Sequence, residues 1–451
     1  MMQALKRQLK QLLILSPPRI LIAGFALIIF IGSLLLMQPF ATADGAGTRW
    51  IDALFTATSA ACVTGLVVVD TGTHYSTAGQ VIILILIQIG GLGFMTMATL
   101  FSLVLRKRIS LKERLLLQEA MNQGSMEGIV RLIRRVLLYS FVIEACGALL
   151  YAIRFMYEMP PGRALYLGVF HAISMFNNAG FDIMGDYRSM TEYVNDPLIN
   201  LVTVTLIILG GLGFIVLSDL MDFRRKRRLT LHSKVVLLAS GGLVAIGAIV
   251  IFLFEFANAK TMGPLDLGGK LFASLFQSVA TRTAGPNSVD IGAMTQASLF
   301  FMIILMFIGA SPGSTGGGIK TTTFTALAAA MWAMLRGKED IVLFRSRLAK
   351  ERILKALTIT MLSIAIVLLG AMILSTLEDR DFLRILFETV SAFGTVGLST
   401  GITPGLHDAS KIVLSMMMFA GRLGPLTMAY ALRPKQSKES YKHPEGKIII
   451  G

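Results

Sequence analysis

Four short stretches of this chain could do chemistry with their backbone rather than with their side chains. Each is made of small or β-branched residues and closes on a glycine: Val63-Thr64-Gly65, Asn178-Ala179-Gly180, Thr283-Ala284-Gly285 and Thr395-Val396-Gly397. Glycine adopts unusual φ angles at little steric cost, so a peptide ending in it can turn its carbonyl oxygens to one side. Four such peptides around an axis would present rings of oxygens able to replace the hydration shell of a monovalent cation. None of the four places an Asp or Glu beside its glycine, whereas a divalent-selective pore favours an acidic ring.

The stretches are in register. Phe55, Phe170 and Phe387 lie ten residues before the glycine in the first, second and fourth copies, and Ser59, Ser174 and Ser391 lie six before it. The four glycines are 115, 105 and 112 residues apart. One copy alone would read as a packing glycine in an ordinary loop. Four copies at a near-constant period define an architecture.

The elements that must position these loops are apolar. The 451-residue chain is 54% hydrophobic and only 15% charged, with a mean hydropathy of +0.69. A soluble domain carries about 25% charged residues, and apolar runs of membrane-span length flank every loop. The expected fold is an all-α polytopic membrane protein made of four repeated span–pore loop–span units around a pseudo-fourfold central pore. The units are residues 20–108, 132–228, 229–340 and 341–432. A cytoplasmic N-terminus (1–19), a cytoplasmic connection (109–131) and a cytoplasmic tail (433–451) complete the chain. The N-terminal Lys6, Arg7 and Lys10 ahead of an apolar run read as a retained signal anchor.

A formal charge of +15 would suit a nucleic-acid partner, but its distribution excludes one. Thirty of the 42 Lys/Arg fall in five clusters, at residues 6–19, 106–135, 224–234, 336–355 and 433–447. The stretches assigned to the opposite face hold ten Lys/Arg against sixteen Asp/Glu. That asymmetry is the positive-inside pattern of a bilayer protein and sets both termini in the cytoplasm. Two cysteines, Cys62 and Cys146, and five histidines form no disulfide framework or metal spacing. An intramembrane enzyme would need paired acids or a nucleophile with its base, and no such group is found.

The closing span of each unit carries a glycine group that starts 25, 30, 24 or 24 residues after the pore glycine. Gly90-Gly91-Leu92-Gly93 and Gly210-Gly211-Leu212-Gly213 read as close helix packing within continuous spans. The third group is different. Gly309, Ala310, Ser311, Pro312, Gly313, Ser314, Thr315, Gly316, Gly317, Gly318, Ile319 and Lys320 cannot hold a continuous helix. A phosphate loop is excluded because Ile319 separates Gly318 from Lys320. The plain reading is a kinked span; the functional one is an intramembrane gate below the oxygen rings. Arg422, in the fourth glycine group, should face the interior and find carbonyls freed by that break. Lys320 could serve the gate or snorkel to the cytoplasm. Glu144 reads as a satisfied structural carboxylate whose partner the sequence does not name.

With these loops, Val63-Thr64-Gly65-Leu66, Asn177-Asn178-Ala179-Gly180-Phe181, Arg282-Thr283-Ala284-Gly285 and Thr395-Val396-Gly397-Leu398, nearly the whole chain resembles the Trk/Ktr/HKT superfamily of potassium transporters. With no extra spans ahead of the first unit, and with Tyr441-Lys442-His443-Pro444-Glu445-Gly446 near its end, it is most similar to the membrane subunit of bacterial Ktr systems. The resemblance implies potassium held at the backbone carbonyls of the twelve loop residues, with sodium as an activator. It also implies a gate formed by residues 309–320 with Arg422, a homodimer, and a cytoplasmic ring of nucleotide-binding (KtrA-like) regulatory subunits. The implied site is the bacterial plasma (inner) membrane. In that superfamily a glycine in all four loops goes with potassium selectivity, and a serine in the first goes with sodium permeation. Pro286 departs from the pattern, where an aromatic usually follows the third glycine. Two rivals remain: a less selective sodium/potassium pathway of the same superfamily, and a secondary transporter with discontinuous helices. The latter favours inverted repeats, whereas every unit here starts and ends on one side.

Overall fold

The computed structural model of the chain describes residues 17–93, 96 and 129–432. The terminal segments 1–16 and 433–451 lie outside it, as do the second span beyond residue 93 (residue 96 excepted) and residues 109–128 of the connection. The expected all-α architecture holds: among the described residues the sheet structure is one hairpin of two-residue strands, Val342–Leu343 and Ser346–Arg347.

Among the described residues four helices are long and apolar enough to cross a membrane unbroken: α1 (Pro17–Leu36), α4 (Ile129–Phe155), α8 (Leu231–Glu255) and α12 (Lys350–Leu377). Each opens a unit. Their outer faces show Phe30, Leu138, Leu253 and Met372 to the surroundings, while polar Ser59, Asn178, Thr283 and Thr395 are fully buried at the centre. That inversion of the soluble pattern is what a lipid solvent demands.

A short helix follows each opening span: α2 (Trp50–Ala61), α5 (Pro161–Phe176), α9 (Leu267–Ala280) and α13 (Phe382–Gly394). Each ends just before one of the glycine stretches. The closing spans begin with α3 (Thr77–Leu92), α6 (Pro197–Leu212), α10 (Gln296–Phe307) and α14 (Asp408–Leu423). Side-chain caps set three of these starts: Ser76 accepts from the Gly79 N–H, Asp196 from Ile199 and Thr295 from Ser298. Packing between units runs in a closed order. α3 lies on α5, α6 on α9, α10 on α13, and α14 returns to α2.

The closing spans correct an expectation. Read as continuous except in the third unit, they stop in the others too, at Gly93, Gly213 and Gly424, with φ of 82°, 93° and 84°. Beyond Gly213 the chain resumes as α7 (Phe214–Lys226), bent 100° from α6. Beyond Gly424 it resumes as α15 (Pro425–Leu432). Hydropathy runs on across the breaks at Gly93 and Gly213, which only the left-handed glycine marks, whereas Pro425 also marks the one at Gly424. The third unit resumes after residue 320 as α11 (Thr321–Leu335). The packing half of the expectation stands. A methyl on Gly90, Gly210 or Gly421 would lie 2.1, 1.9 or 1.8 Å from the carbonyl of Ala61, Phe176 or Phe393, so these glycines let each closing span touch the end of its own short helix.

Candidate ion site

The four glycine stretches share one backbone shape. The residue two before each glycine has positive φ: Val63 58°, Asn178 58°, Thr283 65° and Thr395 49°. The glycines follow at 90°, 67°, 78° and 93°. Asparagine tolerates the left-handed region, but a β-branched residue there is a true outlier. Such strain costs on the order of 1–3 kcal/mol per residue and persists only where the surroundings impose it. Pro286 does not disturb the third copy, where it is buried behind a glycine of the same hand.

The spacing rules of the sequence have a structural cause. Ser59 accepts the Gly65 N–H and Ser391 the Gly397 N–H, both at 3.1 Å. Ser174 donates to the Phe181 carbonyl at 2.6 Å. The serine six residues back is thus an anchor that holds the extended peptide against its helix. Phe55, Phe170 and Phe387 are fully buried behind these anchors. The third loop lacks both residues and relies on a helical turn from Ala284 N–H to Ala280 at 3.1 Å.

The loops meet in a ring. A methyl on Gly65 would stand 2.3 Å from the Ala179 oxygen, and one on Gly180 would stand 2.5 Å from that of Ala284. Gly285 faces Val396 at 2.8 Å, and Gly397 faces Thr64 at 2.1 Å, closing the circuit. Each glycine therefore admits the carbonyl that precedes the next glycine. The short helices end at this ring, so the negative ends of their dipoles converge on it. Together these features bring four peptide oxygens, each preceding a glycine, into one ring with no acid next to any of the glycines in sequence.

Residues 309–320 lie directly against this ring. A methyl on Gly316 would be 1.9 Å from Thr283 Oγ1, and one on Gly317 would be 2.4 Å from Thr395 Oγ1. The Gly317 N–H donates to Thr395 Oγ1 at 2.9 Å. The segment also caps the broken α6: the Ser311 N–H donates to the Gly211 carbonyl at 3.1 Å and the Thr315 N–H to Gly210 at 3.3 Å. Gly309 and Gly318 lie in contact where Ile308 and Ile319 bridge the two ends in parallel. Ala310 accepts from the Thr321 N–H, and Ser314 donates back to Ser311. Pro312 and Gly313 pack at Gly213, where the Gly313 carbonyl accepts the Phe214 N–H at 2.8 Å.

Arg422 does what its position demanded. It donates to the Thr315 carbonyl in the segment and to the Gly90 and Gly91 carbonyls at the broken end of α3. The alternatives for Lys320 narrow as well, because its Nζ donates to Gly316 at 2.7 Å and Gly317 at 3.4 Å, stapling the segment on itself. Beyond the segment, away from the ring, lies a cavity of about 280 Å³ walled in part by Lys320, Lys355 and Arg422.

Residues 13–442 match the TrkH family of cation transport proteins. The chain belongs to the TrkH family. It is 46% identical over 436 residues to the Ktr system potassium uptake protein B of Bacillus subtilis, covering 97% of each chain. The protein of the same name from Vibrio alginolyticus is 40% identical, with 96% and 95% covered. The potassium/sodium uptake protein NtpJ of Enterococcus hirae is also 40% identical, with 97% and 98% covered. The fold is similar to the crystal structure of the potassium transporter TrkH from Vibrio parahaemolyticus, with a TM-score of 0.72, 20% identity, and 92% and 84% of the chains covered. A TrkH-family chain is a membrane transport protein, not an enzyme.

In this TrkH-family chain Glu144 is the satisfied carboxylate that the sequence suggested, while Glu388, Lys411 and the contact of Arg282 escaped the sequence reading. Glu144 finds its partners in Gln88, at 3.0 and 3.1 Å, and in Asn177 at 3.0 Å. Asn177 caps α5, so the carboxylate ties α3 and α4 to the start of the second loop. Glu388 takes up the Thr400 N–H and the hydroxyls of Ser399, Thr400 and Thr403, clamping the chain beyond Gly397. Lys411 of α14 and Asp52 of α2 form a buried pair at 2.7 Å across the joint between the last unit and the first. Arg282, one residue before Thr283, donates to the Gly309 carbonyl at 3.4 Å. A charged residue in an apolar helix, the signal that marked Glu144, was also available for Glu388 and Lys411.

Proposed function

We propose that the chain is the translocating membrane subunit of a Ktr-type potassium uptake system. The twelve loop residues form its ion filter, and residues 309–320 with Arg422 form its gate. The observation that carries this reading is the closed ring of four strained loops, each glycine admitting its neighbour's carbonyl. Relatives at 46% and 40% identity are named potassium uptake proteins, which supports potassium as the ion.

The path is passive. One charge crossing 100 mV of membrane potential gains about 2.3 kcal/mol, so an inside-negative cell concentrates potassium without ATP. The gate segment fills the space beneath the ring, and Lys320 and Arg422 behind it oppose a cation resting there. Regulation then comes from outside the chain: a cytoplasmic nucleotide-binding ring, a second copy of the subunit, and sodium as activator. The basic clusters support a bacterial plasma-membrane location with both termini in the cytoplasm.

A less selective sodium/potassium pathway is the second reading, favoured by the name of the Enterococcus hirae relative. Potassium and sodium flux into liposomes holding the purified chain separates the two, and equal rates for both ions would end the selective reading. Rescue of a potassium-uptake-deficient cell, with and without the regulatory subunit, tests the system as a whole.

A further inference from the structure

The four loops differ at the strained position two residues before the glycine. It is Val63 in the first, Asn178 in the second, and threonine in the third and fourth. The two threonines are the ones that the gate segment touches, through Gly316 at Thr283 and Gly317 at Thr395. At Thr395 the contact is a hydrogen bond, from the Gly317 N–H to a fully buried hydroxyl. A left-handed β-branched residue keeps its conformation only while its surroundings hold it, and the segment is part of those surroundings. The next residue, Val396, supplies the carbonyl that faces Gly285. Any relaxation of Thr395 therefore reaches both the fourth and the third strands of the ring. Arg282 gives the third strand a second link, to the Gly309 carbonyl at the start of the segment.

We propose that Thr395 is a positioning residue joining gate to filter, so that ion discrimination depends on where the segment sits. This rests on the reading of the ring as filter and the segment as gate. With the segment seated, the Gly317 N–H holds the hydroxyl and the fourth strand keeps its shape. With the segment withdrawn, a buried acceptor loses its donor, the strand relaxes, and the ring discriminates less well.

The test is potassium and sodium flux into liposomes containing the purified full chain, without any partner. Four forms are compared: wild type, Thr395→Val, a deletion of Ser311–Gly316, and the combination. Valine keeps the shape and the β-branch but removes the acceptor. Thr395→Val is expected to raise potassium flux at least fivefold and to lower the potassium-to-sodium ratio at least threefold. The deletion should do both, and the combination should stay within twofold of the deletion alone, because the joint is already broken. Thr395→Ser, which keeps the acceptor, should bring the ratio back toward that of wild type. A Thr395→Val protein matching wild type in both measurements overturns the joint. So does a change by the same factor in both backgrounds, which would mean that the hydroxyl meets the ion directly. If Thr395→Val does not fold, Gly317→Ala carries the test from the other side, since its methyl pushes the segment off Thr395, and wild-type behaviour there overturns the joint equally. If neither the wild-type chain nor the deletion of Ser311–Gly316 passes potassium, the functional reading itself falls, and the joint with it.

Discussion

Replacing Arg422 by glutamine tests the gate at its most connected residue. Its guanidinium serves three carbonyls, but only the bond to Thr315 belongs to the seated segment, while Gly90 and Gly91 sit on α3. A hydrogen bond to a charged group is worth about 1.5–3 kcal/mol. Losing it from the shut state alone shifts the shut-to-open ratio roughly tenfold to a hundredfold. The assay is potassium influx into liposomes holding the purified chain with no regulatory subunit, where wild-type flux is the baseline. Arg422→Gln should raise that flux by at least tenfold. Arg422→Lys should fall between, because a compact ammonium cannot reach both Thr315 and the glycine pair. A folded Arg422→Gln protein with flux within twofold of wild type would refute the reasoning, since the segment would then be held by something else or would not be the barrier.

Four further outcomes follow from contacts already described. Gly65→Ser places a side-chain carbon 2.3 Å from the Ala179 oxygen at a φ of 90°, so reversal potentials should show weaker potassium-over-sodium discrimination; unchanged values would remove the filter assignment. Gly421→Ala drives a methyl to 1.8 Å from the Phe393 carbonyl and should displace α13, lowering the melting temperature in detergent and the yield of folded protein. Lys411→Met leaves the buried Asp52 with only the exposed Arg49 at 3.9 Å and should cost up to about 3–5 kcal/mol, whereas the double variant with Asp52→Asn should recover most of that loss in the same melting assay. Glu144→Gln offers one acceptor oxygen to the two amides of Gln88 and Asn177, and should lower stability by about 1–3 kcal/mol without affecting expression topology.

What the sequence made legible was the part written in local backbone demands. Gly65, Gly180, Gly285 and Gly397 are required where φ is positive and a neighbouring carbonyl presses in, and Ser59 and Ser391 are required six residues earlier to hold the loop's N–H groups. Both demands repeat, so both show as spacing. The break at 309–320 was legible because proline and hydroxyl residues interrupt the apolar run. The breaks at Gly93 and Gly213 were not, because apolar residues continue on either side and the glycines also pass as packing residues; at Gly424 the following Pro425 was a signal that went unused. Partners were hidden for a different reason. Glu144 and Gln88 are 56 positions apart, and Asp52 and Lys411 are 359 apart, so only the closure of the ring brings them together.

That closure also explains why the gate segment sits where it does. Stopping α3 and α6 in mid-membrane frees carbonyls that have no water to turn to and must be met by protein donors. The segment's own N–H groups meet Gly210 and Gly211, and Arg422 meets Gly90, Gly91 and Thr315. On this reading the shut state is stabilised less by packing than by the needs of the broken helices. Opening must replace those donors, and the replacement at hand is water drawn into the path. Wetting the path and freeing the segment are then one event. Its free energy is set by exchanging a handful of hydrogen bonds at about 0.5–1.5 kcal/mol each, with more for the charged ones. The two segment N–H bonds and the Arg422–Thr315 bond together come to about 2.5–6 kcal/mol, comparable to the ~5.5 kcal/mol by which a partner must prefer one state to move a population from 1:99 to 99:1. A partner proposed to control the flux would need a preference for the open form of about that size, roughly 10⁴-fold.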